Sequence, residues 1–185
     1  MDVVSDALQS VPRSEFLPHG DRARAGFDGP IQIGHGQTNS QPRTVEAMLR
    51  LLDVQPGHRV LDVGAGSGWT TALLAHLTGS TGSVVGVELV PELSEWGGAN
   101  LAGTPYSWAS IRTATPDVLG VPESAPYDRI LVSAEAGSMP QPLVDQLGDE
   151  GRMVAPVRGT MLLVVRRGDD VEVTQHGSYR FVPLL

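Results

Sequence analysis

The residues best equipped for chemistry lie in one short run, Val60-Leu61-Asp62-Val63-Gly64-Ala65-Gly66-Ser67-Gly68. A chain that turns sharply from strand into helix needs residues without Cβ at the bend, for backbone freedom and for close approach of a ligand. That ligand would lie at the carboxyl end of the strand, beside a helix N-terminus. Taken alone, the run also reads as a tight structural turn. Its spacing is D-x-G-x-G-x-G. The dinucleotide fingerprint G-x-G-x-x-G would need glycine where Trp69 stands, which disfavours a nicotinamide oxidoreductase. Glu88 ends the next apolar run, 20 residues beyond Gly68, where a carboxylate could accept hydrogen bonds from both hydroxyls of a ribose. Asp62 either sits under the amino end of such a ligand or caps the loop. Further upstream, Thr38-Asn39-Ser40 offers two hydroxyls, and by itself reads as a cap before a helix at Pro42.

Other reactive constellations are missing from the sequence. It has no cysteine, so disulfides, thiolate metal sites and cysteine nucleophiles are excluded. The five histidines, His19, His35, His58, His76 and His176, show no metal-ligand spacing, and no metal is expected. His35 lies between two glycines and is assigned no role. Arg166-Arg167 with Asp169-Asp170 reads as a solvated hairpin turn.

The elements that would position these residues alternate. Val3 to Leu8 could form a short helix, followed by a Pro- and Gly-rich run from Leu17 to Pro30 and a short strand at Ile31-Gln32-Ile33. From Thr44 to Leu52 the apolar residues Val45, Met48, Leu49 and Leu52 share one helical face. Val60–Val63, Val84–Glu88, Ser110–Thr113, Arg129–Val132, Arg152–Pro156 and Met161–Arg166 read as strands. Trp69–Leu77, Pro91–Leu101 and Pro142–Leu147 read as helices. Val171–Thr174 and Tyr179–Val182 could close the sheet as an antiparallel pair. Strands alternating with helices predict an α/β fold, a mostly parallel sheet with helices on both faces, and strands apolar on both sides fit it. Residues 1–185 are expected to form a single domain, with 1–42 as an N-terminal cap and active-site loop and 43–185 as the α/β core.

The chain has 185 residues, 41% of them hydrophobic and 18% charged, which suits a globular protein with a sizeable core. Its net charge is −8, and no Lys/Arg run offers phosphates a basic face, so nucleic acid is not an expected partner. No apolar run approaches the roughly 20 residues that span a bilayer, and the N-terminus lacks the pattern of a signal peptide. A cytoplasmic monomer without membrane association is expected.

The glycine pattern resembles the first motif of class I S-adenosylmethionine methyltransferases, where the turn holds the amino-acid end of the cofactor. The run Ile33-Gly34-His35-Gly36-Gln37-Thr38-Asn39-Ser40-Gln41-Pro42 resembles the I-G-x-G-Q-T-I-S-Q-P segment of protein-L-isoaspartate O-methyltransferases. So do Val11-Pro12-Arg13 with Phe16, Ala125-Pro126-Tyr127-Asp128-Arg129-Ile130, and Arg180-Phe181-Val182-Pro183-Leu184. These blocks are collinear over nearly the whole chain. The resemblance implies a Rossmann-like methyltransferase fold with S-adenosyl-L-methionine as cofactor. The implied substrate is the free α-carboxylate of L-isoaspartyl residues in damaged proteins or peptides. Methylation there makes an ester, a succinimide then closes spontaneously, and hydrolysis returns part of the material to aspartate. A carboxylate is already ionised at neutral pH, so positioning would carry the catalysis. Ser40 matches the family's active-site serine and would hold the acceptor. The cofactor would be bordered by Thr38, Asn39, Gln41, Asp62, Gly64, Gly66, Gly68, Glu88, Leu89, Pro116 and Asp117.

Three departures from the family pattern stand out. The acid expected to meet the adenine aligns with Pro116, and Asp117 would serve after a local shift. The family's isoleucine between Thr38 and Ser40 is Asn39. Glu135, in Ser133-Ala134-Glu135-Ala136, brings an acid close to the cofactor pocket, where it would repel an anionic acceptor unless turned outward or paired. These leave open a carboxyl methyltransferase for aspartate in one dedicated peptide, or a weakened cofactor-binding homologue. A nucleic-acid methyltransferase is more distant: the Asp/Asn-Pro-Pro-aromatic run of amine-directed enzymes is absent, and so is any cysteine.

Overall fold

A computed structural model describes residues 2–184. Helix α1 (Val3–Ser10) opens with the Asp2 side chain accepting hydrogen bonds from the Val4 and Ser5 amides, which satisfies otherwise unpaired donors at a helix start. Two 3-10 turns, Arg13–Phe16 and His19–Arg24, lead to a hairpin of β1 (Ile31–Gly34) and β2 (Gln37–Asn39). Helix α2 (Pro42–Leu52) follows, with Pro42 at its first position, where a missing N–H costs nothing. It buries the four apolar residues whose spacing predicted it.

The main sheet then builds outward from its centre. Strands β3 (Arg59–Val63), β4 (Ser83–Glu88), β5 (Ala109–Thr113) and β6 (Tyr127–Val132) alternate with helices α3 (Trp69–Thr78) and α4 (Pro91–Ala102). A short α5 (Gln141–Val144) precedes β7 (Leu147–Val157), β8 (Thr160–Arg167) and β9 (Asp170–Ser178). The sheet order is β5-β4-β3-β6-β7-β8-β9. Pairs up to β6–β7 are parallel, and β7–β8 and β8–β9 are antiparallel. The mostly parallel sheet and its antiparallel end agree with the sequence reading.

Each face of the sheet carries its own apolar cluster. Val60 and Leu131 join α1, α2 and α3 on one side. Leu61, Val63, Ile130 and Val132 join Leu143 and Leu147 on the other. This alternation is what a strand buried on both faces requires. Helix α3 is buried around nearly its whole circumference, because α1 covers the face that the sheet does not.

Three expectations are corrected. The helix expected at Pro142–Leu147 is only Gln141–Val144, because Leu147 already begins β7. Strand β9 runs unbroken to Ser178 and pairs with β8. Tyr179–Val182 is therefore not its antiparallel partner. The chain leaves the sheet there and crosses to Glu135, where the Glu135 amide donates to the Val182 carbonyl (2.7 Å) and the Leu184 amide to the Glu135 carbonyl (2.8 Å).

Candidate active site

The order in which strands are added reverses at β3: β4 and β5 lie on one side of it and β6 on the other, all parallel. In open α/β sheets the ligand crevice forms outside the carboxyl ends of strands at such a point. A cavity of about 370 Å³ opens there, lined by the ends of β3 (Val63, Gly64), β4 (Val87, Glu88) and β6 (Ser133, Ala134). Its far wall comes from Thr115 and Asp117–Gly120, and its rim from the hairpin residues Ile33, Gln37 and Thr38 and the C-terminal Val182–Leu184. A smaller cavity continues beside it, between Thr38–Ser40 and the turn Gly64–Thr70. Thr38, Gly64, Gly66 and Ser133 line both. The first has the size of a small-molecule site, and the second is a narrow annex beside the start of α3, whose unpaired amides favour an anion.

Glu88 is only 7% exposed. Its Oε2 accepts from the Gly66 amide (2.9 Å) and its Oε1 from the Val90 amide (3.0 Å). Those bonds hold the carboxylate rigid at the cavity wall and leave further lone pairs for a ligand. Asp62 sits wholly buried behind the turn. Its Oδ2 accepts from the hydroxyls of Thr70 and Thr71, both at 2.7 Å, and its Oδ1 has no partner among the described residues. Burial pushes its carboxyl up to about 6, against the opposing pull of the two threonine hydroxyls. A buried carboxylate with an orphaned oxygen behind the wall suits a ligand that brings positive charge, as S-adenosylmethionine does. The apolar walls, the Glu88 carboxylate and the glycine turn fit the rest of that cofactor.

Of the residues expected at the site, the structure brings together Thr38, Gly64, Gly66, Glu88, Leu89 and Asp117 around the larger cavity, and Asn39 and Ser40 around the smaller. Four others lie outside both linings. Gln41 turns away to donate to the Asp28 carbonyl (3.1 Å) and accept from Thr44 (3.1 Å). Pro116 is passed over in favour of Asp117, which adopts φ 61° and so aims the next residue's stretch at the cavity. Asp62 stands behind the wall. Gly68 faces helix α4: a Cβ there would lie 2.8 Å from the Gly97 carbonyl. The third glycine of the motif thus serves helix packing rather than ligand approach. The side chain of Glu135 lines neither cavity; its backbone clasps the C-terminal segment instead.

Sequence reasoning assigned no site role to Val182–Leu184, Ser133 or Arg13. Val182–Leu184 and Arg13 stood only in blocks that match the family, and Ser133 only in the segment that departs from it. Arg13 is 5% exposed and forms six hydrogen bonds, to the carbonyls of Ala25, Phe27, Gly29, Asn39 and Ser40 and to Asn39 Oδ1. Burial lowers its pKa. Its guanidinium also lies 5.6 Å from the ring centre of Trp69, whose Nε1 donates to the Val11 carbonyl (3.1 Å).

Among the described residues no cluster of His, Cys, Asp or Glu could hold a metal ion, and no helix is long and apolar enough to cross a membrane. The sequence matches the protein-L-isoaspartate(D-aspartate) O-methyltransferase family over residues 1–185. It is 43% identical to the protein-L-isoaspartate O-methyltransferase of Methanopyrus kandleri, covering 98% of this chain and 83% of that one. The corresponding enzyme of Methanocella arvoryzae is 42% identical, with 96% of each chain covered. Among solved structures, the Plasmodium falciparum protein-L-isoaspartate O-methyltransferase in complex with S-adenosyl-L-homocysteine superposes with a TM-score of 0.86 at 26% identity, covering 100% of this chain and 91% of that one. This chain therefore belongs to the protein-L-isoaspartate(D-aspartate) O-methyltransferase family.

Proposed function

We propose that this chain methylates the free α-carboxylate of L-isoaspartyl residues in proteins or peptides, with S-adenosyl-L-methionine as methyl donor, and so starts their return to aspartate. The observation that carries the reading is the shared wall of the two cavities, Thr38, Gly64, Gly66 and Ser133, across which a cofactor in the larger would meet an acceptor at the smaller. When bound, the cofactor supplies an electrophilic methyl group on a cationic sulfur.

The chain's own residues then have limited work. Glu88 holds the ribose hydroxyls, Asp117 and Leu119 flank the base, and the turn Gly64–Gly66 approaches the amino-acid end. Ser40, with Thr38 beside it, donates a hydroxyl to one acceptor oxygen and leaves the other free to attack. The carboxylate needs no general base, because it is ionised at neutral pH. Bringing the two reactants into line in a closed space is the larger part of the acceleration. In this reading residues 1–42 cap the acceptor side and residues 43–185 carry the cofactor within one functional unit. A monomer is expected to suffice, which sedimentation of the active enzyme tests.

Transfer of labelled methyl to matched isoaspartyl and aspartyl peptides tests the proposal. Base-labile label on the isoaspartyl peptide alone is expected, with kcat/KM lowered about tenfold or more in Ser40→Ala, the cost of one hydrogen bond to a charged group. Equal labelling of the aspartyl peptide, or none of either despite cofactor binding, would defeat it.

A further inference from the structure

The glycine turn and the acceptor loop are joined by a side chain that the resemblance did not predict. Asn39 uses both ends of its amide. Its Oδ1 accepts from Arg13 Nε (2.7 Å), and its Nδ2 donates to Ser67 Oγ (3.0 Å). Ser67 lies in the cofactor turn, where its own carbonyl accepts from Asn100 of α4 (3.0 Å) and the neighbouring Gly66 amide is held by Glu88. On the other side, one Arg13 terminal nitrogen donates to the Ser40 carbonyl (2.9 Å), and the same guanidinium gathers the carbonyls of Phe27 and Gly29 (2.8 Å each). Asn39 is buried, and so is every link of the chain Ser67–Asn39–Arg13. The isoleucine of the family pattern at this position could make neither bond.

We propose that Asn39 is a positioning residue that couples the cofactor turn to the acceptor loop, so that an occupied cofactor site strengthens acceptor binding. The inference rests on the methyltransferase reading above. A ligand that engages Glu88 and the turn fixes Ser67. Through Asn39 that restraint reaches Arg13, and with it the backbone of Ser40 and of the loop 25–29. In low dielectric an unshared donor such as Arg13 Nε is costly, so the loop has one favoured placement and the turn selects it. Coupling between two sites is reciprocal: the acceptor must tighten the cofactor site by the same factor.

The test is titration of S-adenosylhomocysteine into the full chain, with and without a saturating isoaspartyl peptide, for the parent, Asn39→Leu, Asn39→Asp and Ser67→Ala. In the parent the peptide is expected to tighten S-adenosylhomocysteine about fivefold or more, the lower end of typical allosteric coupling. In Asn39→Leu and Ser67→Ala the ratio of S-adenosylhomocysteine affinities with and without the peptide should fall to about one, whatever each variant's affinity for S-adenosylhomocysteine alone. Asn39→Asp should keep the coupling, since its carboxylate accepts from both Arg13 and the Ser67 hydroxyl. Thermal unfolding of each variant identifies any that fails to fold, and Ser67→Ala, which deletes a single oxygen, decides the question if Asn39→Leu does. Coupling that survives in Ser67→Ala, or that is absent from the parent, overturns the proposal. Loss of S-adenosylhomocysteine binding by the parent itself would overturn the methyltransferase reading instead.

Discussion

Two acids behind and beside the glycine turn carry opposite consequences. Asp62 titrates at about 6 in the folded chain against 3.8 for a free side chain. The folded state therefore binds the extra proton, and stability present below pH 4 is lost as pH rises through 6. The loss amounts to about 3 kcal/mol at most, because each tenfold change in proton affinity between the unfolded and folded chain is worth about 1.36 kcal/mol. Asp62→Asn keeps an acceptor for Thr70 and Thr71 without the charge. Urea denaturation of the ligand-free protein should show it more stable than the parent at pH 7.5 and no better at pH 4; an equal difference at both would mean that Asp62 titrates like a free carboxyl. Glu88 instead earns its place by geometry, both oxygens being held by backbone amides. Glu88→Ala frees the Gly66 and Val90 amides and removes the expected ribose acceptor. Calorimetric affinity for S-adenosylmethionine should fall about tenfold to a hundredfold, as for lost hydrogen bonds to a charged group.

At the level of elements, the cofactor turn depends on how closely α4 approaches it. Gly68 has φ 89° and the Gly97 carbonyl against it. Gly68→Ala therefore meets both backbone strain and a clash, at a cost of about 2 kcal/mol or more. Gly98, one residue further along the same helix, has nothing within 4 Å of an added Cβ. Gly98→Ala should stabilise by about 0.5–1 kcal/mol, because alanine loses less backbone entropy in a helix. By differential scanning calorimetry the first should unfold about 5 °C earlier and the second about 2 °C later, given the usual conversion for a chain of this size. Matching shifts for the two would mean that α4 does not pack on the turn as described.

For the molecule as a whole, an early hairpin and the C-terminal segment converge on one crevice. The hairpin β1–β2 closes it from the N-terminal side and Val182–Leu184 from the C-terminal side. The clasp at Glu135 consists of two backbone hydrogen bonds outside the sheet. Truncation after Phe181 should leave the core folded, yet raise the KM for an isoaspartyl peptide about tenfold, as expected from two lost hydrogen bonds and an apolar wall. Unchanged steady-state kinetics would show that the segment plays no part in the site. Net charge acts at the same scale. With −8 on the chain, long-range repulsion of acidic peptides is screened by salt. Raising ionic strength from about 0.01 M to 0.15 M, which shortens the Debye length from about 30 to 8 Å, should increase kcat/KM for glutamate-flanked isoaspartyl peptides and decrease it for lysine-flanked ones.

The sequence by itself determined what depends on local pattern. Apolar runs at Val60–Val63, Val84–Val87 and Ile130–Val132 could be buried only in a sheet covered on both faces. The glycine turn and Glu88, at the ends of adjacent parallel strands, had to meet at one crevice. Tertiary structure alone decided which side chains face that crevice. Asp62 and Gly68 belong to the motif but point into packing, because helices α3 and α4 close on the turn from behind. Asp117 rather than Pro116 reaches the cavity through a positive φ that no spacing rule specifies. Strand β9 continues past Thr174 because β8 offers it a full-length edge, and residues 179–184 leave it for Glu135. Arg13, 26 residues from Asn39, becomes the anchor of the segments around 25–29 and 39–40 only when six oxygens converge on it. Contacts between distant segments depend on how whole elements pack, and a pattern read over a few neighbouring residues carries no record of that.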